Sequence, residues 1–148
     1  MKVLIVYDSV YGNTEKIARA IGGGIAGEVK VARASEVGPD ALKAIDLLIV
    51  GAPTQGGRPT PAVRSFLSNI EKATIRDIKV AAFDTRLPAK WVKIFGYAAG
   101  KIAGSLKGKG GTLAVPPEGF FVNGTRGPLQ EGETERAARW AKGIVESK

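Results

Sequence analysis

The sequence of 148 residues contains neither cysteine nor histidine. The absence of cysteine excludes disulfides, thiolate nucleophiles, iron–sulfur clusters and cysteine-bound zinc. The absence of histidine excludes a Ser-His-Asp triad, imidazole metal sites and acid–base catalysis by imidazole. Chemistry at neutral pH must therefore come from carboxylates, lysines, tyrosines or a bound cofactor.

Acidic residues are also scarce, because 14 Asp and Glu stand against 22 Lys and Arg, which gives a net charge of +8. The shortage is greatest from Thr85 to Pro117, which holds no acid but six basic residues: Arg86, Lys90, Lys93, Lys101, Lys107 and Lys109. A basic balance can indicate a polyanionic partner. The sequence has no RNP-like aromatic motif, no zinc finger and no run of five like charges, so we expect no nucleic-acid partner.

Long hydrophobic runs are missing as well. No apolar run approaches the ~20 residues of a membrane span, and the first residues lead into a strand-like segment without a signal-peptide pattern. We therefore expect a cytoplasmic protein without membrane insertion. The composition, 44% apolar and 24% charged, predicts a single globular domain over residues 1–148, and we take a monomer as its expected state.

Five short apolar segments are predicted to be strands: 3–7, 29–32, 46–50, 78–83 and 111–115. Continuous apolar runs are typical of strands that are covered on both faces, as in a parallel sheet. Helical patterns begin near Asn13, Thr60, Pro88 and Glu133, and a short helical turn is expected at 40–44. This alternation predicts an α/β fold, with the Gly- and Pro-rich stretch 118–130 as a surface excursion.

Polar loops follow three of the predicted strands, where ligands of a doubly wound sheet bind. The first loop comprises Ser9, Val10, Tyr11, Gly12, Asn13 and Thr14. Its hydroxyls, its glycine and the positive end of the following helix suit a phosphate monoester without any cation. The other two loops contain Pro53, Thr54, Gln55, Gly56 and Gly57, and then Asp84, Thr85 and Arg86. Each could be a plain surface loop, but three at one edge favour a cradle for a flat, hydrogen-bonding ligand.

The loop 9–14 resembles the phosphate loop of the flavodoxins, Ser/Thr-x-Thr/Tyr-Gly-Asn-Thr. The segments 51–57 and 83–85 resemble the second and third flavin loops of that family, and 118–129 with the helix after it is similar to the family's C-terminal part. The resemblance covers essentially the whole chain. It implies a flavodoxin-like three-layer sandwich with a five-stranded parallel sheet in the order 2-1-3-4-5, and noncovalent FMN at its carboxyl edge.

The resemblance also implies roles for single residues. The hydroxyls of Ser9 and Thr14 and the amides of residues 11–13 would hold the 5′-phosphate. Residues 54–57 would line the isoalloxazine, and residues 84–86 would meet its pyrimidine edge. The family commonly stacks the flavin between aromatics, but the turn 55–58 has none, and the third loop has none before Trp91, whose spacing points toward the core.

The resemblance implies a low-potential electron carrier rather than an enzyme. The alternatives are a small NAD(P)H or quinone reductase on the same scaffold and a non-redox polyanion-binding domain. The Gly56–Gly57 peptide would turn toward flavin N5 upon reduction, although a plain glycine turn is the other interpretation. Protein redox partners would be acidic if Arg86, Lys90 and Lys93 form a docking face; otherwise these residues merely solvate a helix.

Overall fold

The computed structural model describes residues 1–55, 57–88 and 97–146. Its strands are β1 (Lys2–Tyr7), β2 (Glu28–Arg33), β3 (Leu47–Pro53), β4 (Lys79–Arg86), β5 (Thr112–Leu113) and β6 (Glu118–Phe121). Its α-helices are α1 (Asn13–Gly23), α2 (Pro61–Ser68), α3 (Lys72–Ile75), α4 (Ala98–Gly108) and α5 (Glu133–Glu146). Two 3₁₀ helices, Ala34–Glu36 and Pro39–Leu42, connect β2 to β3, so the short turn predicted there is confirmed.

The strands form one parallel sheet in the order β2-β1-β3-β4-β5, which confirms the predicted order. The fifth position is split, because β5 and β6 both pair with β4. Val80 is opposite Leu113, whereas Phe83 is opposite Glu118, so the partner strand gains two residues between these pairs. Pro116 and Pro117 lie in this gap, where their missing amide hydrogens cannot continue a ladder.

The expectation that 118–130 is a surface excursion is wrong for its first four residues, which form β6. Phe120 of β6 is fully buried and lies edge-to-face against Phe83 and Trp140, with ring centroids 6.2 and 5.9 Å apart. Pairing with β6 extends β4 as far as Arg86. The candidate site residues 84–86 therefore belong to a strand rather than to a loop.

The two faces of the sheet are covered by different helices. On one face α1 and α5 bury apolar side chains against the sheet: Ile17, Ala18, Ile21, Ala137, Ala141 and Ile144. On the other face α2 and α4 do so: Val63, Phe66, Leu67, Ile102 and Leu106. These are the stripes that helical spacing in the sequence predicts, and they make the fold a three-layer α/β sandwich.

Helix α4 begins at Ala98, after Tyr97, whose backbone is extended (φ −133°, ψ 153°). The start of the helix expected from Pro88 falls largely on residues 89–96, which lie outside the described residues. The first two amides of α4 donate to side chains at the sheet edge: Ala98 N to Thr54 Oγ1 at 3.1 Å and Ala99 N to Asp84 Oδ2 at 2.9 Å. The predicted Trp91 position lies outside the described residues. None of the described helices is long and apolar enough to cross a membrane.

Helix α5 is tied to β6 by the side chain of Arg136. Its guanidinium donates to both carboxylate oxygens of Glu133, at 2.9 and 2.7 Å, and to the carbonyl of Gly119 at 2.6 Å. Glu133 also accepts the Phe121 amide at 2.7 Å. The hydrogen bonds from Arg136 lower the pKa of Glu133 despite its burial, and the same bonds raise the pKa of Arg136.

Candidate functional site

A cavity of 330 Å³ opens at the carboxyl edge of the sheet, a size typical of small-molecule sites. The residues lining it come from the ends of β1, β3, β4 and β6: Ser9, Val10, Tyr11, Asn13, Thr14, Pro53, Thr54, Gln55, Gly57, Thr85, Arg86, Leu87, Val122 and Thr125. The structure thus brings the three predicted loops together. Three candidates are not among the lining residues. Gly12 directly precedes α1, and Asp84 is fully buried. Gly56 lies outside the described residues.

The first loop turns from β1 into α1 through Gly12, whose φ of +91° favours glycine. The Gly12 amide donates to Ser9 Oγ at 3.0 Å, which closes the loop. Helix α1 has no side-chain cap among the described residues, so the positive end of its dipole faces the cavity wall. Amides, hydroxyls and a helix N-terminus are a donor set suited to a phosphate group.

A pair of buried threonines joins the first loop to β4. The hydroxyls of Thr14 and Thr85 are hydrogen-bonded to each other at 2.8 Å, and the two residues are only 2% and 5% exposed. Both also line the cavity. Because each hydroxyl can donate one bond and accept others, the pair retains capacity to bond a ligand.

Arg33 is a site residue that the sequence did not single out. It ends β2 opposite Tyr7, and its guanidinium donates to the carbonyl of Ser9 at 3.2 Å. It also forms ion pairs with Asp8 at 3.6 Å and Glu15 at 3.3 Å. Glu15 also pairs with Arg19 at 3.0 Å, so two arginines together offset the two carboxylates that flank the first loop. The strand order 2-1-3-4-5 could have indicated Arg33, because it places the end of the second strand beside the first loop.

The second loop is a tight turn closed by two backbone hydrogen bonds between Gln55 and Arg58, at 2.8 and 3.0 Å. Gly57 has φ +80°, a conformation that favours glycine at the third position of such a turn. Thr54 before the turn donates its amide to the Thr85 carbonyl at 2.9 Å. The turn is therefore anchored to both β4 and α4.

The third segment separates its residues between two faces of β4. Thr85 faces the cavity, whereas Asp84 is fully buried on the α4 side and receives two bonds from Arg86, at 2.7 and 2.8 Å. The Arg86 guanidinium lies 3.5 Å from the centroid of the Tyr97 ring and directly against Gly119. Arg86 is 15% exposed, so its charge is held inside rather than presented for docking. Lys90 and Lys93 lie outside the described residues.

The segment 122–129 supplies a wall that the sequence did not predict. Val122 and Thr125 line the cavity, and Arg126 lies 5.6 Å above the Tyr11 ring. The positive φ of Gly127 seats its backbone against the Asn13 side chain, where a Cβ would collide. This wall could have been predicted only by recognising β6 as a strand. Because β6 is parallel to β4, the residues that follow it lie at the same carboxyl edge as the three loops.

The cavity wall contains few groups that can exchange protons. Among the described lining residues, only Tyr11 and Arg86 are titratable, and Tyr11 is also the one aromatic side chain. Tyr11 and its neighbour Val10 are each 51% exposed and form an apolar rim. The arrangement can hold a phosphate and a flat polar ring, but it offers no carboxylate or lysine for acid–base catalysis.

Comparisons with known proteins agree with this geometry. The family model for the flavodoxin domain matches residues 4–105. A flavodoxin from the domain Archaea has 26% identity and a TM-score of 0.83, with 99% of this chain and 97% of that chain covered. Flavodoxin 2 from Bacillus cereus has 26% identity and a TM-score of 0.81, with 99% of both chains covered.

A WrbA-like flavodoxin protein from Agrobacterium tumefaciens shares the fold at 22% identity and a TM-score of 0.77, with 97% and 94% of the chains covered. A search of curated protein sequences finds no match.

Proposed function

This chain belongs to the flavodoxin family, and on that premise we propose that it is a low-potential electron carrier that exchanges electrons with other proteins through FMN. The family assignment makes it a flavin-binding redox protein, with FMN as the cofactor. FMN supplies the capacity to take up and release electrons one or two at a time. The protein's own residues bind it, orient it and limit its contact with water.

The donor set at the carboxyl edge fits FMN. Ser9 and Thr14 contribute hydroxyls, and the N-terminus of α1 contributes amides, so a phosphate can be bound without a lysine. Arg33 supports this binding indirectly, because it pairs with Asp8 and, together with Arg19, with Glu15, and so reduces the repulsion of a phosphate dianion by these carboxylates. Gly12 allows the backbone of the loop to turn beneath the phosphate.

The wider parts of the cavity suit the flavin ring. We assign one wall to Pro53, Thr54, Gln55 and Gly57, together with the adjacent Gly56, and the other to Thr85 and Arg86. Asp84 acts through Arg86, whose guanidinium it holds in a fixed orientation. Tyr11 and Val10 form the rim that shields the phosphate end from solvent.

One observation favours electron transfer over a reductase. In the described lining, Tyr11 and Arg86 are the only titratable groups, and Arg86 is already paired with Asp84. A reductase must also seat a nicotinamide or quinone and manage protons at that substrate. A cavity of 330 Å³ is at the lower end of the range for ligand sites, which leaves little space beside a bound flavin.

The test begins with the purified protein. We expect a yellow protein that releases FMN on denaturation, takes up electrons on photoreduction and passes them to a one-electron acceptor. Steady-state oxidation of NADH or NADPH with a quinone should be no faster than with free FMN. Turnover well above that of free FMN would indicate the reductase instead, and a colourless protein that binds no added FMN would contradict both.

A further inference from the structure

A groove separate from the FMN cavity runs between α2 and α4, on the face of the sheet opposite α1 and α5. This α2–α4 groove has a volume of 360 Å³ and is lined by Arg58, Arg64, Leu67, Ser68, Lys101 and Ser105, with Pro59 at one end. Lys109, directly after α4, donates its ammonium to the Ile70 carbonyl, just beyond α2, at 2.7 Å and so links the ends of the two helices. The two helices therefore hold the groove in one shape.

The groove begins at the wall of the FMN cavity. Gln55 and Gly57 line the cavity, and Arg58 of the same turn lines the groove. Arg64 and Lys101 are the fourth residues of α2 and α4, so each lies about 4.5 Å along its helix from an N-terminus at the carboxyl edge. Three cations thus lie at the end of the groove that is nearest the cofactor.

The chain segments that form the groove contain no acidic residue. The chain has no Asp or Glu between Asp46 and Glu71, nor between Asp84 and Glu118, and α2 and α4 lie within these two segments. Asp84 is buried in its pair with Arg86. Arg58 and Arg64 have no ion pair in the part of the chain that the structure describes, and the undescribed residues 56 and 89–96 contain no acid.

The opposite face of the sheet has a different charge pattern. There α5 holds three glutamates beside its three cations, and two arginines are paired, Arg19 with Glu15 at 3.0 Å and Arg136 with Glu133 at 2.7 Å. On the groove side, the N-terminus of α2 adds positive potential, because no side chain caps it and its first turn has no acid. The positive charge is therefore less offset by acidic residues on the groove side than on the opposite face.

We propose that the α2–α4 groove docks the carboxylate-bearing surface of an acidic redox protein, next to the cofactor. This inference rests on the proposed electron-carrier function. Beside the cations, Ser68 and Ser105 provide hydroxyl donors that can bond carboxylate oxygens of a partner. The described lining offers no aromatic ring on which nucleic-acid bases could stack, which disfavours a single strand as the ligand.

Two variants with the same net charge test the proposal. The groove variant is Arg58→Gln/Arg64→Gln/Lys101→Gln. The control variant, Lys30→Gln/Arg139→Gln/Lys142→Gln, removes three exposed cations from β2 and α5. A 20-residue poly-L-glutamate peptide is titrated into ¹⁵N-labelled protein, with and without FMN, and amide shifts are mapped at low ionic strength. In parallel, stopped-flow measures electron transfer from the photoreduced protein to ferricyanide, which takes one electron per ion and becomes ferrocyanide.

We expect the glutamate peptide to shift amides of α2, α4 and the turn 55–58 in the wild type and the control variant, but not in the groove variant. The ferricyanide rate should fall about tenfold in the groove variant at low salt, less than about twofold in the control, and the difference should shrink as salt is added. With hexaammineruthenium(III), a cationic acceptor, the groove variant should be faster than the wild type.

Equal rates in the two variants, or peptide shifts elsewhere on the surface, would overturn the proposal. Tighter binding of a 20-mer of thymidylate than of the peptide at the same amides would overturn it in favour of nucleic acid. The peptide titration needs no cofactor, so it tests the docking groove separately from the proposed electron-carrier function. Groove binding by a protein that cannot hold FMN would refute the proposed function while leaving the surface assignment intact.

Discussion

Removing the charge of Asp84 should destabilise the protein even though the side chain does not line the cavity. The carboxylate is fully buried, accepts two bonds from Arg86 at 2.7 and 2.8 Å, and accepts the Ala99 amide at 2.9 Å. In Asp84→Asn the amide oxygen can still cap α4, but the Arg86 guanidinium is left without a counter-charge. Breaking one side of a buried pair costs about 3–5 kcal/mol, and we expect about 3 because Arg86 retains 15% exposure.

Urea unfolding of the apoprotein measures this cost without the contribution of cofactor binding. The matched variants are Arg86→Met, which removes the cation, and the double variant Asp84→Asn/Arg86→Met, which leaves no buried charge. The double variant should be more stable than Asp84→Asn alone, because the unpaired guanidinium is gone. A cost for Asp84→Asn below about 1 kcal/mol, or a double variant whose cost equals the sum of the two single costs, would refute the reasoning.

Three further outcomes are expected. Thr14→Val should weaken FMN binding by about 1–3 kcal/mol, roughly 5- to 150-fold in Kd, and riboflavin should bind much more weakly than FMN; a titration giving equal affinities would contradict a phosphate site built from hydroxyls and amides. Gly57→Val should change the separation of the two one-electron reduction potentials while oxidised FMN stays bound, since φ +80° is strained for a branched residue, and unchanged potentials in spectroelectrochemistry would indicate a plain turn. The Glu133–Arg136 pair should stabilise the protein fully above the unfolded-state pKa of 4.5 of Glu133, and this contribution should disappear as the pH falls through the lowered native pKa. In Glu133→Gln, the free energy of unfolding measured with urea should therefore depend less on pH in this range.

The core of the fold could be predicted from the sequence because burial leaves a local signal. The run 47–50 is continuous and apolar, and the structure buries every residue of it in the centre of the sheet. The apolar spacing in 133–146 likewise predicts α5 with its buried stripe. Each pattern is the spacing of apolar residues within a single strand or helix, so it can be recognised without knowing which other element packs against it.

The split fifth strand could not be predicted this way. Residues 118–121 are few, begin with Glu118-Gly119 and follow two prolines, so local propensity argues against a strand. They become one because β4 offers an open edge from Phe83 to Arg86 and because Phe120 fills the space beside Phe83 and Trp140. Tertiary pairing therefore overrides local propensity here.

The strand conformation of the third segment also explains why two of its three predicted site residues line the cavity and Asp84 does not. A loop may present three successive side chains to one side, but a strand alternates them. Once β6 extends β4 to Arg86, Asp84 and Arg86 start from one face and Thr85 from the other, and only the longer Arg86 side chain of that pair reaches the cavity. The hydrogen bonds from Thr85 to Thr14 and from Arg86 to Asp84 are the consequence.

Some of the arginines of this protein are paired with carboxylates near the FMN cavity, and others are exposed at the α2–α4 groove. Near the cavity two described arginines are paired with carboxylates, Arg33 with Asp8 and Glu15 and Arg86 with Asp84, so their positive charge is offset locally. Arg126 lies over the Tyr11 ring instead. Arg58 and Arg64 of the α2–α4 groove are exposed and have no ion pair among the described residues. Because exposed charges are screened over about 8–10 Å at physiological salt, the groove acts on an approaching partner more strongly than on the interior of the cavity. We therefore expect different residues to control the association with a redox partner and the binding of FMN. Substitutions in the groove should change association rates while the affinity for FMN stays constant.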